Sequence, residues 1–310
     1  MKALITGAAG FLGQECVRQF LAAGFEVVTT DVHGSVDLLG NLADEAFVSA
    51  LPKVDVVVNC AAVQYVSRDL PLLFRGRYFQ RNNVLAAENL SKRYSAPDVH
   101  FIHVGTSMMY RQTGQAEYGV KSPMGGEGVY SRSKMQAQTY INALPDSATV
   151  LPCIIGGKGR EGLFIGFVKM MRRHGLVCYP GRGQHKIHMV HVVDVASLLL
   201  KIAQVKACGF YNAAAPAPLS IREWVLEIEK ELGIEGKVKS LLLPLAPIHW
   251  ISRLLGYRLL AREQLLMLGM PHVLSIDESL GLGWEPRFSN ARIVRDIAAH
   301  IDAELQVGNI

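Results

Sequence analysis

The chain opens MKALITGAAGFLG, and this stretch constrains the fold more than any other. Lys2 to Thr6 contains the apolar run Ala3-Leu4-Ile5, long enough for one buried strand. From Phe11, the sequence FLGQECVRQFLAAG places Phe11, Leu12, Cys16, Phe20 and Leu21 roughly on one helical face, and Gly24 ends the helix. Gly7, Gly10 and Gly13 therefore sit on a strand-to-helix turn. Such a turn brings backbone N–H groups and the positive helix end close to whatever lies in front of it, which makes a site for a pyrophosphate.

The first half continues as an alternation of strands and helices. FEVVTTD (25–31) reads as a strand ending in an acid, and VDVVVNCAA (54–62) as a strand covered on both faces. A polar helical stretch, RYFQRNNVLAAENLSKRY, leads to the buried strand HFIHVGTS (100–107), the helix YSRSKMQAQTYINAL and the strand-like ATVLPCII. This βαβ order predicts an α/β fold, a Rossmann-type doubly wound parallel sheet with ligands at the carboxyl ends of its strands. Residues 1–156 form the expected dinucleotide-binding domain, joined by later strands from about 187–215, and 157–310 mainly bind and cap the substrate. In that second part SIREWVLEIEKELG is amphipathic: Ile221, Trp224, Val225, Ile228 and Leu232 share a face, with Ser220 as N-cap and Glu223 three residues on.

Bulk properties exclude other classes. Half of the 310 residues are hydrophobic, and the formal net charge of +5 is dispersed apart from short groups such as Lys169–Arg173. Without a basic stripe carrying interleaved aromatics, nucleic acid is not an expected partner. Cysteines at 16, 60, 153, 178 and 208 form no CxxC pair, and no His/Cys/carboxylate cluster has ligand spacing, so no metal is expected. No signal-peptide pattern precedes the first strand, and the thiols suit a reduced, cytoplasmic protein.

The residues suited to chemistry fall at strand ends. Asp31 is placed to accept hydrogen bonds from both hydroxyls of an adenosine ribose and to repel a 2′-phosphate, which favours NAD over NADP. Asp37 and Leu38 then approach the adenine edge. Tyr130 and Lys134, in YSRSK, are four residues apart and share a helical face. An ammonium one turn away stabilises a phenolate, so Tyr130 can exchange a proton with an alcohol or carbonyl. Thr106 and Ser107 both end a strand, and side-chain alternation lets only one of them face the cleft.

Taken together, these residues resemble an extended short-chain dehydrogenase/reductase of the NAD-dependent epimerase/dehydratase superfamily, over essentially the whole chain. TGAAGFLG is similar to the family's TGxxGxxG, VNCAA (58–62) to its fourth-strand motif, and NNVLAAENL (82–90) to NVxGTxNL. Tyr130 and Lys134 match YxxxK, HMVHVVDVA (188–196) resembles FVHVxDVA, and FYNAAAPAPLSIREW resembles a later family segment. The resemblance implies NAD as cofactor, Phe11 and Leu12 at its diphosphate, and Cys60, Ala61, Ala62, Asn83, Pro152 and Cys153 beside it. It makes Thr106, four residues before Tyr110, the third catalytic residue, and a homodimer the expected assembly. LPCIIGGKG lacks the arginine and tyrosine usual after the sixth strand. Ser107 and Met108 stand where dehydratases carry an acid pair, so elimination chemistry is not expected.

Within the family, residues 259–286 most resemble the 3β-hydroxysteroid dehydrogenase branch. SLLLPLAPIHWISRLLGYRLL (240–260) is apolar, but two prolines and short uninterrupted runs argue against a spanning helix. It reads as a core or dimer-face helix, as a hydrophobic lid over the cleft, or as a surface touching membrane to collect a lipidic substrate. The implied reaction is hydride transfer between a secondary alcohol or ketone and NAD, on a small-molecule substrate of sterol-like or lipid-like type. A sugar-nucleotide 4-epimerase using the same triad is the alternative, with Lys169, Arg172, Arg173, Arg182 and Lys186 available for a second pyrophosphate. An NAD-sensing regulator without turnover is a third reading, though a sensor has no need of Tyr130.

Overall fold

The computed structural model describes residues 1–65, 67, 69–71, 73–160, 162–255 and 261–308. The opening unit is β1 (Lys2–Thr6), α1 (Phe11–Ala22), β2 (Glu26–Asp31) and the two-residue β3 (Leu38–Leu39). Then come α2 (Glu45–Ser49), β4 (Val56–Asn59), α3 (Arg75–Phe79), a π-helical turn at Gln80–Leu85 and α4 (Ala86–Arg93). The next elements are β5 (His100–Val104), α5 (Val129–Ile141), β6 (Ser147–Pro152), β7 (Ile154–Gly156) and α6 (Phe164–His174). They lead into β8 (Leu176–Pro180), β9 (Lys186–Ile187), β10 (Met189–His191), α7 (Val192–Val205) and β11 (Gly209–Ala213). The chain closes with β12 (Leu219–Ser220), α8 (Ile221–Leu232), β13 (Lys239–Leu243), α9 (Leu245–Leu254), α10 (Arg262–Gly269), α11 (Asp277–Gly281) and α12 (Asn290–Gln306).

Seven strands form one parallel sheet in the order β11-β6-β5-β4-β1-β2-β3. The chain builds outward from β1 through β2 to β3, then returns to β4 on the other side of β1. That reversal leaves a crevice at the carboxyl ends of β1 and β4, where ligands bind in such sheets. Strand periodicity divides the core. Ala3, Ile5, Val56, Val58 and Ile102 face a layer that includes Cys16 and Phe20 of α1 and Val195, Leu199 and Ile202 of α7. Leu4, Val57 and Phe101 point the other way, onto Val48, Leu90, Ala137 and Ile141 from α2, α4 and α5. Both faces are dry, which is why the strands read as unbroken apolar runs.

Two local expectations shift. Leu21 is exposed, so the buried stripe of α1 is Gly13, Cys16 and Phe20. The β4 ladder stops at Asn59, which frees Cys60 to Ala62 to line the crevice. The C-terminal half has its own core, in which Trp224, Val225 and Ile228 of α8 meet Ile293, Val294 and Ile297 of α12 and Val168 of α6. No helix among the described residues is long and apolar enough to cross a membrane.

The α8 N-terminus is held reciprocally: Glu223 N donates to Ser220 Oγ (3.3 Å), and Glu223 Oε2 accepts from Ser220 N (2.7 Å) and from its hydroxyl (2.8 Å). Ser220→Ala removes that cap and is expected to lower the unfolding free energy by about 1 kcal/mol in urea denaturation, with helix content unchanged before the transition.

Candidate active site

The glycine turn closes the crevice from one side. Gly7 adopts φ +64°, and its α-carbon packs on the end of β4 so tightly that a Cβ would lie 2.7 Å from Ala61 N. A methyl on Gly13 would overlap the Gly7 carbonyl oxygen. Gly10, the N-cap of α1, donates to that same carbonyl (3.0 Å) and brings no capping side chain. The first-turn N–H groups at Phe11 and Leu12 are thus left to the crevice at the positive helix end. The turn tolerates no side chain at Gly7 or Gly13 and turns free backbone N–H groups and the positive helix end outward, a donor set that fits the diphosphate of a dinucleotide.

Asp31 sits beside the turn. Its Oδ2 accepts from Ala9 N (3.0 Å), its Oδ1 accepts from Val32 N (2.7 Å), and His33 Nδ1 lies 3.2 Å away. A carboxylate keeps lone pairs beyond these, so a ribose diol remains within its capacity. Asp37 is otherwise engaged. Its Oδ2 accepts from the Thr29 amide (2.9 Å) and hydroxyl (2.7 Å), which pin the loop to β2 and hold its carboxyl below the usual range. Leu38 pairs with Thr30 in β3 and packs half-buried against the core. Asn83 is buried with Oδ1 accepting from Val63 N (2.9 Å) and Nδ2 donating to Ser133 Oγ (3.0 Å), so it braces the Cys60–Val63 segment against α5. Pro152 and Cys153 lie at the end of β6, where burial raises the Cys153 thiol above its ordinary range.

Tyr130 stands in the second turn-facing wall, packed edge-on against Tyr65 (5.9 Å between centroids) and tilted against Phe79 (5.8 Å). Burial pushes its phenol up to about 12; the Thr106 hydroxyl and the Arg160 charge act downward, and Glu263 acts upward. Of the two strand-end hydroxyls, Thr106 is thus the one that acts on Tyr130. Ser107 Oγ instead lies 2.7 Å from His272 Nε2, in a buried pair on the other side of the backbone.

Lys134, the partner expected for the phenol, is enclosed on the same helix. Its ammonium donates to Val104 O (2.7 Å) and lies 3.2 Å from His103 Nε2, in a chain that continues through His103 Nδ1 and Asn59 Nδ2 (3.1 Å) to the Thr6 hydroxyl, which donates to Asn59 Oδ1 (2.7 Å). Buried without a carboxylate, Lys134 is pushed down to about 7, and His103 falls well below its ordinary value through burial and the lysine beside it. Arg160 also draws the phenol down; it donates to Gln64 Oε1 (2.7 Å) and lies 5.6 Å over the Phe11 ring. Arg160 has no carboxylate partner among the described residues, so most of its donors are left for a ligand.

Glu263, on α10, is buried; its Oε1 accepts from Tyr65 OH (3.0 Å) and Ser131 N (3.2 Å), and its Oε2 has no partner among the described residues. Sequence reading missed Arg160, Glu263, Tyr65 and His103. Two of them left a trace: Arg160 follows a strand end in a glycine-rich loop, and His103 interrupts an apolar strand. Glu263 left none, because it arrives from a helix more than a hundred residues away. One trio of possible metal ligands among the described residues, His100, Asp146 and Cys208, lies at the amino ends of β5, β6 and β11, away from the crevice. There Asp146 Oδ1 is 2.6 Å from His100 Nδ1 and 3.1 Å from Cys208 Sγ, as in ordinary hydrogen bonds.

The chain is similar to known proteins in sequence and fold. The profile described as "NAD dependent epimerase/dehydratase family" matches residues 3–214. The spore coat polysaccharide biosynthesis protein SpsK of Bacillus subtilis is 26% identical over 251 residues, covering 77% of this chain and 82% of SpsK. Human epimerase family protein SDR39U1 (isoform 2), solved with NADPH, superposes with a TM-score of 0.76 at 20% identity, covering 96% of this chain and 99% of that one. A UDP-galactose 4-epimerase structure gives 0.73 at 19% identity, covering 98% and 100%.

The buried Lys134 carries a pH signature. Unfolded, a lysine holds its proton to about 10.5, whereas the folded one releases it near 7. Between these values the unfolded chain binds more protons, so the folded state gains stability as pH rises. Lys134→Met lacks that dependence, and its stability advantage over the parent protein in urea is expected to shrink as pH is raised from 7 towards 10.5. An unchanged difference across that range would refute the burial argument.

Proposed function

The chain belongs to the NAD dependent epimerase/dehydratase family, and from that premise we propose that it is an NAD-dependent oxidoreductase acting on a secondary alcohol or ketone. The observation that carries this is the buried pair Tyr130 and Lys134, one turn apart on α5, with the buried Thr106 hydroxyl at the strand end acting on the phenol. Bound NAD supplies the hydride acceptor, and its reduced form the donor. Gly7, Gly10 and Gly13 leave room for its diphosphate, with Asp31 at the ribose. Thr106 orients the substrate oxygen. Tyr130, protonated at neutral pH because burial opposes the phenolate, donates to that oxygen when a ketone is reduced and recovers the proton when the alcohol is oxidised. Arg160 moderates the cost of the phenolate, and Tyr65 and Phe79 exclude water around it.

The proposed substrate is sterol-like or lipid-like, as in the 3β-hydroxysteroid dehydrogenase branch. Support comes from the resemblance of residues 259–286 and from the outward-facing leucines of β13 and α9. A sugar-nucleotide 4-epimerase is the second reading, favoured by the similarity to UDP-galactose 4-epimerase and by Arg182 and Arg222, which line one shallow cavity in the C-terminal half.

The test is NADH formation or consumption with a panel of 3β-hydroxysterols, their ketones, and UDP- and dTDP-sugars, for the parent protein and Tyr130→Phe. Sterol turnover that falls roughly 10²–10⁴-fold in the variant, with NADH binding retained, is the expected outcome. Sugar interconversion without net NADH would replace the substrate class and leave the triad. NADH binding without turnover of any member, in parent and variant alike, would favour a cofactor sensor.

A further inference from the structure

One surface of the C-terminal half combines exposed apolar side chains with a single sign of charge. Residues 236–262 contain neither aspartate nor glutamate, while Lys237, Lys239, Arg253 and Arg262 fall within them. Of the 240–260 stretch, positions 256–260 lie outside the described residues. The rest forms β13, paired in parallel with β8, followed directly by α9. Every residue of β13 is exposed, so Leu241, Leu242 and Leu243 present apolar side chains on both faces of the strand.

The helix beside it is apolar on the wrong side as well. Leu245, Ile248 and Ser252 turn inward, whereas Trp250, Ile251 and Leu254 turn to solvent; Trp250 is 64% and Leu254 66% exposed. The cations around this ridge are unspent. Lys237, Lys239 and Arg253 are exposed and have no carboxylate partner among the described residues; only Arg262 pairs, with Glu127 (3.3 Å). Arg182 and Arg222, also exposed, line a cavity of about 360 Å³ together with Ser240 and Leu242 of the same strand.

A contiguous apolar ridge on a soluble surface marks a docking site. Its charge says for what. A second copy meeting this face through a two-fold axis would set Lys237, Lys239 and Arg253 against like charges, with no acid in the segment to answer them. An anionic lipid surface answers all of them at once, and leucine, isoleucine and tryptophan flanked by Lys and Arg are what such an interface accepts. We propose that β13 and α9 dock this protein on anionic phospholipid bilayers. The leucines, Ile251 and Trp250 enter the boundary between headgroups and acyl chains, and Lys237, Lys239, Arg253, Arg182 and Arg222 meet lipid phosphates. This does not depend on the reaction proposed above.

The protein carries its own probe. Of its three tryptophans, Trp224 and Trp284 are 1% and 4% exposed, so a change in emission on docking reports Trp250. The experiment titrates the full chain with vesicles of phosphatidylcholine alone, or of phosphatidylcholine and phosphatidylglycerol in equal parts, following emission and co-sedimentation. A blue shift and sedimentation with the mixed vesicles only, weakening with salt, is expected. Lys237→Gln and Lys239→Gln should each weaken partitioning roughly fivefold, and Trp250→Phe should abolish the shift while leaving the circular dichroism spectrum intact. Equal binding to both vesicle types, or to neither, overturns the proposal. So does a lipid-independent shift that grows with protein concentration alongside a doubled mass in light scattering, which would assign the face to a second copy.

Discussion

Everything at the crevice depends on one close approach, that of the Gly7 backbone to Cys60 and Ala61. β1 and β4 are neighbours in the sheet, yet the chain leaves β1 in one direction and comes back to β4 from the other. Where they part, the turn after β1 and the segment after β4 are pressed together without side chains between them. That contact holds the amino end of α1 over the crevice and carries Cys60 to Val63 to a place where Asn83 and the Thr6 hydroxyl can fasten them. The glycines are required for one reason: a Cβ would push the turn off the end of β4 and off the first turn of α1.

Burial governs the chemistry more than sequence spacing does. In water a lysine one turn from a tyrosine is a full charge that draws the phenol down. Here the same lysine is enclosed, held to a strand carbonyl and faced by a neutral histidine, so much of its charge is lost at neutral pH. The phenol is enclosed too, and settles in its protonated form. A cation acting on it comes from the loop after β7, and a glutamate from α10 acts in the opposite sense. A low-dielectric pocket amplifies such terms, so the acid–base character of Tyr130 belongs to four elements of the fold rather than to one helix.

The C-terminal half adds these groups from outside the sheet. Its own core of α6, α8 and α12 is as dry as that of the sheet, and it delivers α10 to Tyr130 while leaving β13 and α9 turned outward. Most apolar residues on those two elements face solvent, in contrast to the stripe of α8, where the same kinds of side chain meet α12.

The sequence by itself determined the parallel sheet, the strand-to-helix turn and the capped helix α8, because each rests on local rules: period-two and period-3.6 burial, glycine where no side chain fits, serine and glutamate three residues apart. It also placed Asp31, Thr106, Tyr130 and Lys134 at strand ends or on one helix face, which parallel topology carries to the same edge. Only the tertiary structure decided what those groups are next to. Asp37 went to Thr29, Ser107 to His272 and Lys134 to Val104 and His103, while Arg160 and Glu263 came to Tyr130 from distant segments. Periodicity cannot register such pairings, since the partners share neither a helix turn nor a strand, and the charge of a buried group is set by neighbours that only the folded chain assembles.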